Sequence, residues 1–137
     1  MSTQHCIVMF DIDQFKQVND TCGHIMGDHG IQGIGAILRC GNFAGAQAVA
    51  RFGGEEFVML LPETLVGTAA MVAQTVSNRV KAMKIRNRAT QETVLSVTIS
   101  AGVAARQPGD DASSFIARAD AALYKAKQHG RDRVSCA

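Results

Sequence analysis

The sequence predicts an α/β fold, a central mixed sheet flanked by helices with an inserted β-hairpin, and three observations predict it. Cys6-Ile7-Val8-Met9-Phe10 is a short, continuous apolar run that reads as a buried strand. Ala48 to Phe52 and Glu56 to Leu61 read as two strands separated by Gly53-Gly54-Glu55, and a Gly-Gly pair readily takes the positive φ of a tight hairpin. Val97, Ile99, Ala101 and Val103 alternate with Thr98, Ser100 and Gly102, as in a strand with one buried face, and helical periodicity flanks that stretch on both sides.

Residues 1–5 read as an N-terminal remnant or tag, and residues 6–137 as one domain, the expected outcome for a chain of 137 residues. The first strand runs into Asp11-Ile12-Asp13, which sets acids at its C-terminal end, with Asp13 in place to cap a short helix. After a turn at Thr21 to Gly23, Ile31, Ile34, Ile37 and Leu38 recur at helical spacing. Gly30, Gly33 and Gly35 weaken that helix intrinsically and point to close packing against a sheet. Beyond Pro62, Leu65, Ala69, Val72, Val76, Val80 and Met83 keep one apolar face across a long helix with basic residues towards its end. Phe115, Ile116, Ala119, Leu123 and Ala126 mark another amphipathic helix, closed by Gly130 as C-cap before a short strand at Val134. This order suits a mixed sheet with helices on its faces and an antiparallel hairpin inserted at its centre.

Composition narrows the function. Apolar residues make up 47% and charged residues 19%, enough to bury a core and too ordered a balance for a disordered chain. A net charge of +2 with scattered Lys and Arg gives no footprint for nucleic acid. Cys6, Cys22, Cys40 and Cys136 form no C-x-x-C pair and the histidines no H-x-x-x-H spacing, so the thiols read as buried or incidental. The N-terminus lacks a signal-peptide pattern and no apolar run is long enough to span a bilayer, so a cytoplasmic location is expected.

Asp11 at a strand end and Glu55 at a hairpin turn are two carboxylates that adjacent strands could bring together. Mg²⁺ takes one or two protein carboxylates, phosphate oxygens and water, so such a pair suits a magnesium nucleotide, with the glycine turn leaving room for a triphosphate. The plain alternative is that Glu55-Glu56 is merely an exposed turn.

What favours the chemical reading is several unusual segments in one order. Asp11-Ile12-Asp13-Gln14-Phe15-Lys16-Gln17-Val18-Asn19-Asp20 and Gly23-His24-Ile25-Met26-Gly27-Asp28 resemble the D-x-D-x-F-K-x-x-N-D and G-H-x-x-G-D blocks of GGDEF domains. Arg51-Phe52-Gly53-Gly54-Glu55-Glu56-Phe57 resembles the family signature in its Glu variant. Val97 to Val103 and Ala119 to Lys127, continuing to Gly130-Arg131, resemble the remaining blocks. The resemblance covers Cys6 to Val134 and implies a palm or nucleotide-cyclase-like sheet and a diguanylate cyclase, which joins two GTP molecules into cyclic di-GMP with release of pyrophosphate.

The resemblance implies roles residue by residue. Asp11, the backbone carbonyl of Ile12, Glu55 and Glu56 would hold two Mg²⁺ ions, with Mn²⁺ as an alternative, and Glu55 and Glu56 would be catalytic. Asn19 and Asp28 would read guanine, whose N1 and N2 donors suit a carboxylate and an amide. Phe15, through main-chain amides, with Lys16, Lys127 and Arg131 would hold phosphates, whereas without the resemblance Lys127 and Arg131 are ordinary charges at a helix end. His24 would be structural in its turn. Each domain would carry one GTP, so catalysis implies a second copy in a homodimer, and control by an attached sensory or regulatory domain outside this chain.

Three departures stand out. Ala44 and Gln47 occupy the positions of the family's R-x-x-D product-inhibition site, so product inhibition is expected to be weak. Only five residues precede Cys6 where the family has a D-x-L-T-G-L-x-N-R segment and a helix, so the domain is expected to lack its first helix. Asp132 stands where Asn usually follows Gly-Arg. Two rival functions share the features: a GTP-binding regulatory module with little turnover, and a different palm-like nucleotidyl transferase or class III cyclase, which base reading by Asn19 and Asp28 would distinguish.

Overall fold

In a computed structural model, residues 4–41, 43, 46, 48–86 and 93–137 are described. The elements are β1 (Cys6–Ile12), α1 (Phe15–Cys22), α2 (His24–Cys40), β2 (Ala48–Arg51), β3 (Glu56–Leu61), α3 (Val66–Ala82), β4 (Ile85–Arg86), β5 (Thr93–Leu95), β6 (Ile99–Ala105), α4 (Ala112–Gln128) and β7 (Val134–Cys136). A five-stranded sheet runs β2-β3-β1-β6-β7, antiparallel throughout except for the parallel β6–β7 pair, and β4 and β5 form a separate two-stranded ribbon. The mixed sheet and flanking helices are as expected.

The hairpin β2–β3 forms one flank of the sheet instead of its centre. β1 takes the central place because it is apolar on both faces and every one of its residues is buried, so it needs a strand on each side and a helix layer on each face. One face, with Cys6, Val8, Phe10, Ile12, Met59, Leu61, Ile99, Ala101 and Val103, packs into the main core with α2 and α3. The other, with Ile7, Met9 and Ala104, packs against Ala119 and Leu123 of α4.

β6 is buried on both faces, where alternation predicts one. Its second face is built of Ser100, Gly102 and Ala104, and small residues are what a helix backbone lying close to a sheet requires. A Cβ at Gly102 would stand 2.2 Å from the Ala119 carbonyl oxygen and the Leu123 nitrogen of α4.

α2 begins at His24, which is exposed, seven residues ahead of the first periodic isoleucine. Its glycines pack closely, but not on the sheet: Cβ atoms at Gly30 and Gly33 would meet Ile85 Cδ1 at 3.2 Å and Met83 Sδ at 2.5 Å. α3 buries Ala69, Val72, Val76 and Val80 as its periodicity predicts, while Leu65, just ahead of its first turn, stays exposed. Gln4 ties the chain start to that turn, its side-chain oxygen accepting from Val66 N at 3.0 Å. α4 opens on a capping box, in which Asp111 Oδ1 accepts from Ser114 N at 2.8 Å and Ser114 Oγ accepts from Asp111 N at 3.1 Å. It closes at His129, and Gly130 follows at φ 120°, the left-handed stop that glycine tolerates. Among the described residues no helix is long and apolar enough to cross a membrane.

Candidate active site

Asp11, the penultimate residue of β1, is only 4% exposed, and the β1–β3 register sets it opposite Glu56. The next step continues the ladder, with Ile12 N–H donating to the Glu55 carbonyl at 3.2 Å. Antiparallel pairs alternate between hydrogen-bonded and non-hydrogen-bonded, so Asp11–Glu56 is of the second kind, in which opposed side chains come closest. The carboxylate pair expected between Asp11 and Glu55 therefore forms with Glu56. Glu55 lies one residue outside β3, half-buried, and is fixed to Ile12 through its backbone.

The turn that presents the glutamates differs from expectation in its dihedrals. Neither Gly53 nor Gly54 has positive φ, because four residues, Phe52 to Glu55, join the strands and no tight two-residue turn is needed. Phe52 N–H donates to the Glu56 carbonyl at 2.7 Å, and the Arg51 guanidinium donates to the carbonyls of Gly53 at 3.1 Å and Gly54 at 2.6 Å. The tip of the turn is open: a Cβ on Gly54 would meet nothing within 4 Å, so the space beside it does not depend on the glycine.

α4 completes the carboxylate site from above. Lys127 Nζ donates to Asp11 Oδ2, and Asp11, Glu56, Asp120, Leu123, Tyr124 and Lys127 line one cavity of about 130 Å³. Burial pushes the Asp11 carboxyl above its ordinary value; the Lys127 bond and charge oppose this, and Asp13 and Asp120 add to it. Glu56 is raised for the same first reason, then by the charges of Asp11 and Asp120, against the opposing pull of Lys127. Asp120 and Tyr124 escaped the sequence reading, yet their signal is there: Asp120, Leu123, Tyr124 and Lys127 follow the i, i+3, i+4, i+7 spacing of one helix face.

The guanine-reading candidates sit on facing helices. Asn19 of α1 lies where a Cβ on Gly27 of α2 would stand 1.9 Å from its Oδ1, so only glycine admits this approach, and Asp28 is the next residue along. Asn19 Oδ1 is buried with no hydrogen-bond partner, an acceptor suited to a ligand's N–H. Phe15 reaches the same spot, its Cζ 3.3 Å from that Cβ position.

For phosphates, α1 begins on Gln14 at φ 55°, with no side-chain cap, and its first internal bond is Val18 N–H to the Gln14 carbonyl. The amides of Phe15, Lys16 and Gln17 thus precede the helix ladder, as in anion sites at helix starts. Lys16 and Arg131 are exposed, whereas Lys127 is held on Asp11. Asp13 does not cap α1. Its carboxylate accepts from Thr98 Oγ1 at 2.7 Å, Ser100 Oγ at 2.6 Å and Asp132 N at 2.9 Å, because it points back onto β6 and the turn after α4. Ala44 and Gln47 lie outside the described residues.

A hard divalent cation fits this donor set. Asp11 Oδ1 is buried and without a partner, Glu56 faces it, and the Ile12 carbonyl and Glu55 are the adjoining oxygen donors. Among the described residues no group of three or more His, Cys, Asp or Glu side chains is placed to hold a metal ion.

The profile of the family described as "Diguanylate cyclase, GGDEF domain" matches residues 1–133. The chain belongs to the GGDEF family. It is 38% identical over 131 residues to diguanylate cyclase VdcA of Vibrio cholerae, covering 96% of this chain and 38% of that protein. To the response regulator PleD of Caulobacter vibrioides it is 36% identical over 128 residues, covering 93% and 28%. The GGDEF domain of DgcB from Caulobacter crescentus, solved in complex with c-di-GMP, superposes with a TM-score of 0.91 at 36% identity, over 98% of this chain and 78% of that one. The active GGEEF domain of a Vibrio cholerae diguanylate cyclase, which shares the Glu variant, superposes at 0.86 with 31% identity over 98% and 83%. This GGDEF chain spans well under half the length of these curated relatives.

Proposed function

We propose that this domain condenses two GTP molecules into cyclic di-GMP, one GTP being held by each of two domains that face each other across a two-fold axis. The observation that carries the proposal is the direct opposition of Asp11 and Glu56 at the sheet end, with Asp11 Oδ1 buried and unpartnered. Asn19 and Asp28 accept from the guanine edge, and adenine, which offers different donors there, is rejected. The α1 amides with Lys16, Lys127 and Arg131 hold the triphosphate. Asp11, Glu55, Glu56 and the Ile12 carbonyl hold two Mg²⁺ or Mn²⁺ ions. When bound, these supply the positive charge that acidifies the attacking 3′-hydroxyl and offsets charge growing on the phosphate oxygens.

The 3′-oxygen of one GTP then bonds to the α-phosphorus of the other, the α–β bridging bond breaks, and pyrophosphate leaves; symmetry repeats the step. Glu56, which burial makes a stronger base than an ordinary glutamate, takes the hydroxyl proton. Ala44 and Gln47 offer no charge to clamp product, so product inhibition is weak; tight cyclic di-GMP binding there by calorimetry would contradict this. An attached regulatory domain sets when two copies meet.

The decisive test incubates the protein with GTP and Mg²⁺ beside Glu55→Ala and Glu56→Ala. Cyclic di-GMP from the parent and none from either variant supports the cyclase. GTP binding with no turnover, in a chain that includes its regulatory partner, favours the regulatory module instead.

A further inference from the structure

The turn between α4 and β7 carries three consecutive residues at positive φ: Gly130 at 120°, Arg131 at 63° and Asp132 at 49°. Two of these are not glycine, and left-handed backbone in such residues persists only where neighbours hold it. Arg131 N–H donates to the Ala126 carbonyl at 3.0 Å, Arg133 Nε to the Arg131 carbonyl at 3.1 Å, and Lys81 pairs with Asp132 at 2.7 Å. Two ties reach the sheet: Ala101 N–H of β6 donates to the Arg133 carbonyl at 3.0 Å, one residue past the turn, and within the turn itself Asp132 N–H donates to Asp13 Oδ2 at 2.9 Å.

Asp13 is 7% exposed, and each of its carboxylate oxygens is engaged, by Thr98 and Asp132 on one and Ser100 on the other. Its own N–H donates to the Thr98 carbonyl at 2.9 Å. It stands two residues after Asp11 and two before Phe15, where the uncapped α1 amides begin. One side chain therefore joins the strand end bearing Asp11, the start of α1 and the turn bearing Arg131.

We propose that Asp13 is a positioning residue for the phosphate grip: it locks the Arg131–Asp132 turn to the start of α1, so that the Arg131 guanidinium and the α1 amides are held in fixed register for one triphosphate. This rests on the reading of Arg131 as a phosphate ligand. Asp13 touches no substrate. Charge-assisted hydrogen bonds to an aligned guanidinium are worth about tenfold in affinity, and their loss is what a slack turn produces.

The test compares GTP and guanosine affinity by calorimetry for the parent, Asp13→Ala, Asp13→Asn, Arg131→Ala and the Asp13→Ala/Arg131→Ala pair, and follows amide hydrogen exchange at Asp132. Asp13→Ala is expected to weaken GTP about tenfold, leave guanosine unchanged and speed exchange at Asp132. The double variant is expected to bind GTP no more weakly than Arg131→Ala alone. Asp13→Asn keeps an acceptor for the Asp132 amide and is expected to stay within about threefold of the parent. If Asp13→Ala does not fold, Thr98→Val removes one carboxylate partner at constant shape and should show the same GTP-selective loss, smaller in size. Equal losses for GTP and guanosine, or multiplicative losses in the double variant, would overturn the proposal. Should Arg131→Ala leave GTP affinity unchanged while exchange at Asp132 still quickens in Asp13→Ala, the phosphate role of Arg131 fails and takes the positioning role with it; unchanged exchange would refute the tether itself.

Discussion

The two faces of the sheet are built from different materials. Towards α2 and α3 the strands present Val8, Phe10, Ile12, Met59, Leu61 and Val103, bulky side chains that hold the helices off at the full thickness of an apolar layer. Towards α4, β6 presents Ser100, Gly102 and Ala104, and the helix answers with Ala119, Ala122 and Ala126, so the two backbones nearly touch. The thick face carries the larger share of the apolar burial, to which Ile7, Met9 and Leu123 add a smaller core on the α4 side. The thin face lets a helix lie low enough for Asp120, Tyr124 and Lys127 to reach Asp11 and Glu56 at the sheet end. The larger core and the candidate site thus lie on opposite faces of one strand, β1, whose alternate residues serve one face each.

Substitutions on each face test that separation. Leu61→Ala, fully buried on the thick face and at the far end of β3 from Glu56, should cost about 2–5 kcal/mol in denaturant unfolding. Cyclase activity per folded molecule should survive; its loss would show that the faces are not independent. Gly102→Ala on the thin face should cost about 1–3 kcal/mol by overpacking. The clash is with backbone atoms of α4, so the helix must move, and cyclase activity well below the melting temperature should fall far more than the stability loss explains.

Asp111→Ala removes the α4 cap at the end away from the site, and should lower stability modestly in the same unfolding titration with little change in kcat. Glu56→Gln should have the smallest effect on stability, and the opposite sign. The folded state raises the Glu56 carboxyl above its reference of 4.5, so the native protein binds that proton more readily than the unfolded chain. Stability from this group is present below the reference value and is lost as pH rises through the raised one. The glutamine variant should therefore melt slightly higher than the parent at pH 7, with the gain fading as pH drops towards that window, while cyclic di-GMP synthesis disappears.

Much of this was legible in the sequence, and the rest was hidden for physical reasons. β1, the β2–β3 hairpin, α3 and α4 announce themselves because bulky apolar residues recur at strand or helix spacing. The second buried face of β6 does not, since Ser100, Gly102 and Ala104 bury little apolar area and carry no periodic signal, although they decide where α4 lies. The choice between Glu55 and Glu56 as the partner of Asp11 depends on a one-residue register between strands far apart in sequence. Asp13 looked like a helix cap because local pattern favours that use. Its actual donors come from Thr98, Ser100 and Asp132, which no local window contains. α1 and the β4–β5 ribbon are short enough that tertiary packing, more than propensity, sets them.

The central place of β1 also bears on how the domain is made. The strand leaves the ribosome before either neighbour, β3 following at Glu56 and β6 only at Ile99. Until then a ladder of unpaired amides and two apolar faces stay open to any other strand in reach, and closing them requires contacts across most of the chain. During synthesis this segment is the domain's point of vulnerability to misassociation, and the one a holding chaperone would be expected to cover.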